Sequence, residues 1–449
     1  MTDTRRDFLK TSGTALAAAG ALGLTSRAHA ADEGETIKIG LVGCGGRGSR
    51  ACTQALATEG KVKLVAIADA FEDQLSSSLD RITKFAEGNE TAEVDCPKDR
   101  QYTGFDGFKK VIDSDIDLVI LATPPGFRPM MYEYAVEKGK HVFMEKPVAA
   151  DVHGVKQVME ATKKAQEQKL KVGVGLQRRH RNSYLELLGK VGEGLIGDLT
   201  HLRVYWNSGG VWEPRKSRDE VATEMEYQMR NWYYYTWLCA DHITEQHIHN
   251  IDVGNWVMSM LTDGDVDHPA SAVGMGGRQV RTAPRYGEIF DHFACQFTFP
   301  NDIVMFSECR HIRNCWNSVS EHLHGTKGML NLNDSGNNSW KLWGEEKPKR
   351  WRGKIDDAYQ VEHDTLFAAI REDQEYNEAD YGAKSTATSI LGRIATYSGK
   401  TVTWDEMMAS DQRLVPSLDE LNWEADPPVL PDEDGVYPVP TPGVTKPLA

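Results

Sequence analysis

The chain has 449 residues, of which 40% are hydrophobic and 26% charged, and its formal net charge is −15. That length and balance describe a globular protein of two or three domains and exclude a disordered chain. The excess of acid argues against nucleic acid and anionic membrane as partners, yet leaves room for a local basic pocket.

In chain order, residues 1–30 read as a targeting segment. Thr4-Arg5-Arg6-Asp7-Phe8-Leu9-Lys10 is similar to a twin-arginine export motif. A weakly apolar run follows from Ala15 to Leu24, and Ala28-His29-Ala30 fits a small-x-small cleavage site. The expectation is export through the twin-arginine machinery to the periplasm or another extracytoplasmic space. The run is too short for a permanent span, and no other stretch of about 20 apolar residues occurs, so no stable membrane insertion is expected. Seven cysteines (Cys44, Cys52, Cys96, Cys239, Cys295, Cys309 and Cys315) include no C-x-x-C spacing, which indicates neither a disulfide framework nor a zinc ribbon. Folding in a reducing cytoplasm before export fits free thiols.

Ile37 to Val42 is a β-branched run ending in glycines and predicts a buried strand. A helix over Arg47–Thr58 and strands at Val62–Ala68, Asp117–Ala122 and Lys140–Met144 follow. This alternation predicts a parallel doubly wound sheet. Asp151 caps a predicted helix reaching Gln168, and Leu170–Leu176 reads as another strand. Beyond about residue 178 the runs Leu199–Trp206, Ala270–Val280, His292–Phe299, Ile303–Glu308 and Ser318–His324 follow with few helices between them. They predict an α+β domain with a mostly antiparallel open sheet. Tyr381–Tyr397 is a late helix, and the Pro- and acid-rich tail from Pro416 is expected to wrap the surface or to be mobile. The expected limits are 1–30 for the signal, 36–155 for a Rossmann domain, 156–405 for a catalytic domain and 406–449 for the tail.

Gly43-Cys44-Gly45-Gly46-Arg47-Gly48 carries G-x-G-x-x-G between a strand and a helix, the context that gives the motif meaning. Gly43 permits a tight turn, Gly45 a close approach to a pyrophosphate, and Gly48 close helix–strand packing. Asp69 ends the second strand about twenty residues on. There it can accept hydrogen bonds from a ribose and would repel a 2′-phosphate, which favours NAD over NADP. Gly46 and Arg47 in the loop, Thr123 and Pro124 after the third strand, and Glu145 with Lys146 after the fourth complete the expected cofactor-binding residues.

Glu145-Lys146-Pro147 places a cation where the carboxyl ends of the sheet open onto a crevice. A lysine there can stabilise a developing alkoxide or relay a proton. A predicted helix from Asp241 to Trp256 then sets His242, Glu245, His249, Asp252 and Trp256 on one arc of roughly 80°. This stripe suggests a histidine base, His249, with Glu245 as its carboxylate partner. A hydrated polar face and a zinc site at His242, Glu245 and His249 are the competing readings, although H-E-x-x-H and H-x-x-E-H spacings are absent. The aromatic run Asn231–Trp237, with Trp232, can stack on sugar C–H faces or belong to a core or subunit interface. Gln177-Arg178-Arg179-His180-Arg181 can supply donors to substrate hydroxyls or form a solvated turn.

Together these marks resemble the glucose–fructose oxidoreductase/inositol dehydrogenase/MocA family from about residue 36 to 410. The resemblance rests on the loop at 43–48, Ala66-Ile67-Ala68-Asp69, Ala122-Thr123-Pro124-Pro125, Glu145-Lys146-Pro147 and His249-Asn250-Ile251-Asp252. Gly194–Gly197, Gly325–Gly328 and Gly392–Lys400 add to it. It implies hydride transfer between a nicotinamide and a sugar or cyclitol carbinol. Lys146 matches the family's catalytic lysine, and His249 its acid/base histidine. Two positions depart. Glu245 stands where the family commonly has Asp, and Arg128 stands where its Thr-Pro-Pro often leads to a histidine. Arg128, Arg178, Asp252 and Trp232 are the expected substrate contacts. The expectation is an NAD-dependent sugar oxidoreductase that holds its cofactor through turnover, with no metal. A redox-neutral glycosidase or lyase and a non-catalytic sugar- or nucleotide-binding module are its rivals. The sequence sets no oligomeric state, and a homo-oligomer stays open.

Overall fold

The computed structural model describes residues 36–448. The export motif therefore lies outside the described residues. Seven parallel strands form the first sheet: β1 (Ile37–Val42), β2 (Val62–Asp69), β3 (Ala92–Val94), β4 (Gln101–Thr103), β5 (Leu118–Leu121), β6 (His141–Met144) and β7 (Val172–Val174). Their order is β3-β2-β1-β5-β6-β7, with β4 also pairing with β2. Runs such as Leu118–Leu121 are continuously apolar because both faces of the sheet are covered. Helices α1 (Gly46–Leu56), α2 (Glu72–Ala86), α3 (Gly107–Ile112), α4 (Arg128–Glu137) and α5 (Val152–Glu167) connect the strands. Asp151 caps α5 as the sequence predicts, its Oδ1 accepting the Gly154 amide at 2.7 Å. The strand order reverses between β1 and β5, so a crevice opens at their carboxyl ends. The strand β7 carries the parallel sheet beyond residue 155, because α5 is a crossover from β6 to β7 rather than the start of the second domain.

Nine strands form the second sheet: β8 (Leu199–Ser208), β9 (Ser271–Gly277), β10 (His292–Thr298), β11 (Val304–His311), β12 (Ser318–Gly325), β13 (Gly328–Leu332), β14 (Ser339–Leu342), β15 (Lys349–Arg350) and β16 (Val402–Thr403). Their order is β15-β14-β13-β12-β8-β11-β10-β9-β16. Every neighbouring pair is antiparallel except β8 and β11. Alternation puts Phe293, Cys295 and Phe297 of β10 into the core.

The remaining helices are α6 (Asn182–Gly192), α7 (Glu224–Arg230), α8 (Thr236–Cys239), α9 (His242–Glu245), α10 (Ile248–Leu261), α11 (Ala358–Arg371), α12 (Ala379–Ser398) and α13 (Trp404–Ala409). Helix α11 returns the chain to the first sheet, where Leu366, Phe367 and Ile370 join a core with Ile39, Leu64 and Phe143. The C-terminal tail wraps rather than hangs free. Val415, Leu421 and Tyr437 are buried, and the Trp423 ring lies 4.7 Å from Phe105 and 5.3 Å from Phe71. Among the described residues no helix is long and apolar enough to cross a membrane.

Candidate active site

The chain leaves β1 through Gly43, whose φ is +95°. A Cβ there would lie 2.5 Å from the Ala122 carbonyl carbon, and a Cβ at Gly48 would lie 1.9 Å from the Gly43 oxygen. Both obstacles are backbone, so only glycine fits. Gly45 and Gly46 differ: a Cβ at either would meet nothing within 4 Å. They leave an open cradle at the first turn of α1, where free amides and the helix dipole suit a pyrophosphate. The end of β2 is tied to this loop by Asp69, whose Oδ2 accepts the Cys44 amide at 2.6 Å and whose Oδ1 accepts the Phe71 amide at 2.9 Å. Each oxygen keeps lone-pair capacity for a ribose hydroxyl. Burial holds this carboxyl above its ordinary pKa in spite of those two bonds.

A cleft of about 540 Å³ runs from this cradle past Thr123 and Pro124 to Lys146, Glu245 and His249. Lys146 is buried at the end of β6. Its Nζ donates to the Glu245 carbonyl oxygen at 2.5 Å and lies 3.4 Å from Glu245 Oε1. The other carboxylate oxygen of Glu245 accepts Gln246 Nε2 at 2.8 Å. Burial raises the Glu245 carboxyl, while Lys146 and Arg128 pull it back. The imidazole of His249, in the first turn of α10, stacks on Trp206 at 5.9 Å. Burial, reinforced by Lys146, Arg178 and Arg47, holds its pKa well below the ordinary value. The ring is therefore neutral near pH 7 and able to accept a proton.

Arg47 joins the two halves of the site. It donates Nε to Glu145, Nη2 to Glu362 at 3.0 Å and Nη1 to Gln54 at 2.6 Å, with its guanidinium 5.0 Å from the Tyr359 ring centre. Glu362 and Tyr359 come from α11 and were not foreseen. No local sequence pattern links α11 to the glycine loop.

The single helix expected over 241–256 is broken. Gln246 and His247 separate α9 from α10, and the His247 amide bonds back to the His242 carbonyl at 3.1 Å. The five-residue stripe is thereby dispersed. His242 turns into the core, stacked on His311 at 4.1 Å and edge-on to Phe293 at 5.0 Å. His242, Glu245 and His249 do not converge, and among the described residues no three or more His, Cys, Asp or Glu side chains are grouped to hold a metal. The Glu245 carboxylate partners Lys146 and Gln246; among the described residues no hydrogen bond joins it to His249.

Two expected substrate contacts also fall outside the cleft lining. Asp252 is clamped by Arg179, at 2.8 Å from Nη2, and by Ser385 Oγ at 2.7 Å. Arg178 is buried in an ion pair with Glu321, which also accepts Tyr184 Oη at 2.7 Å and Asn250 Nδ2 at 2.6 Å. Both are structural clamps that hold α10 against its neighbours. Arg128 and Trp232 do line the cleft. Arg128 donates to the Thr123 and Pro147 carbonyls, and burial lowers its pKa to about 10. Trp206 and Trp212 line it too; Trp206 ends a predicted strand, and no sequence pattern marks Trp212.

A glycine cradle at the switch point, with an acid closing the second strand, defines a dinucleotide-binding protein. Residues 37–175 match the model of the oxidoreductase family with an NAD-binding Rossmann fold. A glycosyl hydrolase family 109 protein from Shewanella baltica is 29% identical over 217 residues. That match covers 44% of this chain and 44% of the relative, so less than half of the relative's length is spanned. The fold is shared with an aldose-aldose oxidoreductase from Caulobacter crescentus solved with glycerol, at a TM-score of 0.62 and 19% identity, over 82% of this chain and 100% of that one. It is shared also with a scyllo-inositol dehydrogenase from Lactobacillus casei solved with NAD(H) and scyllo-inositol, at 0.59 and 21%, over 83% and 100%.

Proposed function

We propose that this protein is an NAD-dependent oxidoreductase acting on a carbinol of a sugar or cyclitol. The observation that carries the reading is one cleft holding the glycine cradle and Asp69 at one end and Lys146, Glu245 and His249 at the other. NAD, when bound, supplies the hydride acceptor. The Gly45–Gly46 cradle would hold its pyrophosphate and Asp69 its ribose. Neutral His249 accepts the proton of the substrate hydroxyl, and the Lys146 ammonium stabilises charge on that oxygen. Glu245 positions Lys146 through both its carbonyl and its carboxylate. Trp206, Trp212 and Trp232 offer apolar faces to the sugar.

The reading extends to an exported protein, on the strength of Thr4–Lys10, that retains its nucleotide. Trp423 of the tail buttresses Phe71 and Phe105, which line the nucleotide end of the cleft. Dialysed protein is expected to release NAD(H) near one per chain on denaturation, and to reduce that NAD when given an oxidisable sugar. An empty protein that works only with added NAD would defeat retention. Failure of a broad sugar panel to reduce bound NAD would defeat the oxidoreductase reading.

The similarity to a glycosyl hydrolase family 109 protein favours a second reading, redox-neutral glycoside cleavage. Oxidation at C3 acidifies the C2 hydrogen, that proton and the C1 substituent leave by elimination as the free alcohol, water adds across C1 and C2, and the hydride is then returned to C3. Release of a chromogenic aglycone without added cofactor would select this route.

A further inference from the structure

Among the described residues, six Lys/Arg and four Asp/Glu side chains line the cleft, an inversion of the chain's net charge of −15. Five of the six cations are matched locally. Arg47 pairs with Glu145 and Glu362, Lys146 with Glu245, Lys216 with Glu220, and Arg230 with Asp73 and Glu226. Arg128 is held by two carbonyl oxygens. The sixth is Arg215. Its guanidinium lies 4.1 Å from the ring centre of Trp212, and among the described residues it has neither an ion pair nor a side-chain hydrogen bond.

This cation is nonetheless held in place. The fully buried Asn231 accepts the Arg215 amide at 2.7 Å and the Lys216 amide at 3.1 Å, and donates Nδ2 to the Lys216 carbonyl at 2.9 Å. Trp212 packs in turn against Trp232, Tyr233 and Tyr234, with ring centres 5.7–6.0 Å away. A pinned backbone and a fixed ring thus present a planar donor fork to the cleft.

We propose that Arg215 binds an anionic substituent of the substrate, a carboxylate or a phosphate ester, so that the preferred substrate is an acidic sugar. This rests on the sugar-oxidoreductase reading above. The cofactor's own phosphates are the other source of anionic oxygen in this cleft. They have a backbone-made cradle at Gly45 and Gly46, whereas Arg215 stands on the aromatic wall whose Tyr233 neighbours Glu245. On the sugar-oxidoreductase reading, that wall is the one left to the sugar.

The experiment compares NAD-loaded wild type, Arg215→Met and Arg215→Lys. Two ligand pairs are used, a hexuronate and a hexose phosphate, each against the parent neutral hexose. Calorimetry gives affinities, and absorbance of reduced nicotinamide gives rates. Wild type should prefer the acidic member of at least one pair by about 10–100-fold, the worth of a charge-assisted hydrogen bond. The pair that discriminates identifies carboxylate or phosphate as the anion. Arg215→Met should abolish the preference, Arg215→Lys should restore part of it, and added salt should weaken it. Equal affinity for acidic and neutral sugars, or a preference that survives Arg215→Met, would overturn the proposal. So would loss of NAD affinity in Arg215→Met with sugar preference intact, because the anion would then belong to the cofactor. Acid discrimination by calorimetry with no nicotinamide reduction would sink the redox reading and leave Arg215's role standing.

Discussion

The two walls of the cleft are built differently. The wall from Gly43 to Asp69 is mostly backbone: a turn that only glycine fits, an open cradle, and one carboxylate fixed by two amides. The opposite wall is made of side chains drawn from separated segments, with Lys146 at the end of β6, Trp206 on β8, Trp212 and Arg215 in a loop, and His249 on α10. A backbone site depends on local geometry, and here it tolerates no Cβ at Gly43 or Gly48. A side-chain site depends on neighbours that hold one another, so its losses are coupled.

Lys146→Ala should give the largest effect, a fall in kcat of about 100-fold or more with NAD still bound. Glu245→Gln should cost less, and the Lys146/Glu245 double mutant should cost little more than Lys146→Ala alone, because Glu245 acts through Lys146. Steady-state kinetics on the cycle checks this; full additivity would break the side-chain wall into independent parts. The backbone wall makes the complementary case. Gly48→Ala forces a Cβ against the Gly43 carbonyl and should lower stability by about 1–3 kcal/mol, read by denaturant melts. Gly45→Ala meets no protein atom. It should leave the nucleotide-free protein's stability unchanged and weaken NAD binding by calorimetry. Asp69→Ala should bring NAD and NADP affinities together, by about 10-fold, through loss of ribose bonds and of phosphate repulsion.

The smallest effect lies in the pH profile. Burial and nearby cations depress the His249 pKa, and a base works when deprotonated. The acid limb of kcat/KM should therefore fall below about pH 6.5, the free imidazole value. A limb at or above that value would count against His249 as the base.

This contrast also explains what could be read in the chain. The Rossmann half was legible because strand, glycines and acid are contiguous, and the antiparallel second sheet because its strands follow one another. The stripe His242–Trp256 misled because helical periodicity assumes an unbroken helix. Ala240 and Asp241 adopt positive φ at +63° and +67°, and the buried Asp241 carboxylate accepts from Phe290 N and Tyr397 Oη. That tertiary anchoring fixes where α9 begins and sends His242 to the core, while the break before α10 falls at Gln246 and His247. Arg178 and Asp252 were polar residues in suggestive places whose partners, Glu321 and Ser385, lie far along the sequence. Tyr359, Glu362 and Arg215 carried no local signature, since what distinguishes them is whom they do or do not meet in space.

On the proposed function, both walls act on one bound nucleotide and one sugar. The most direct test is single-turnover reduction of nicotinamide in dialysed, NAD-loaded protein mixed with a sugar that binds, for wild type beside Lys146→Ala. The expected result is equal nucleotide content and a reduction rate at least about 100-fold slower in the variant. A wild type that binds sugar but leaves its NAD oxidised, or a Lys146→Ala protein that reduces it at the wild-type rate, would contradict it.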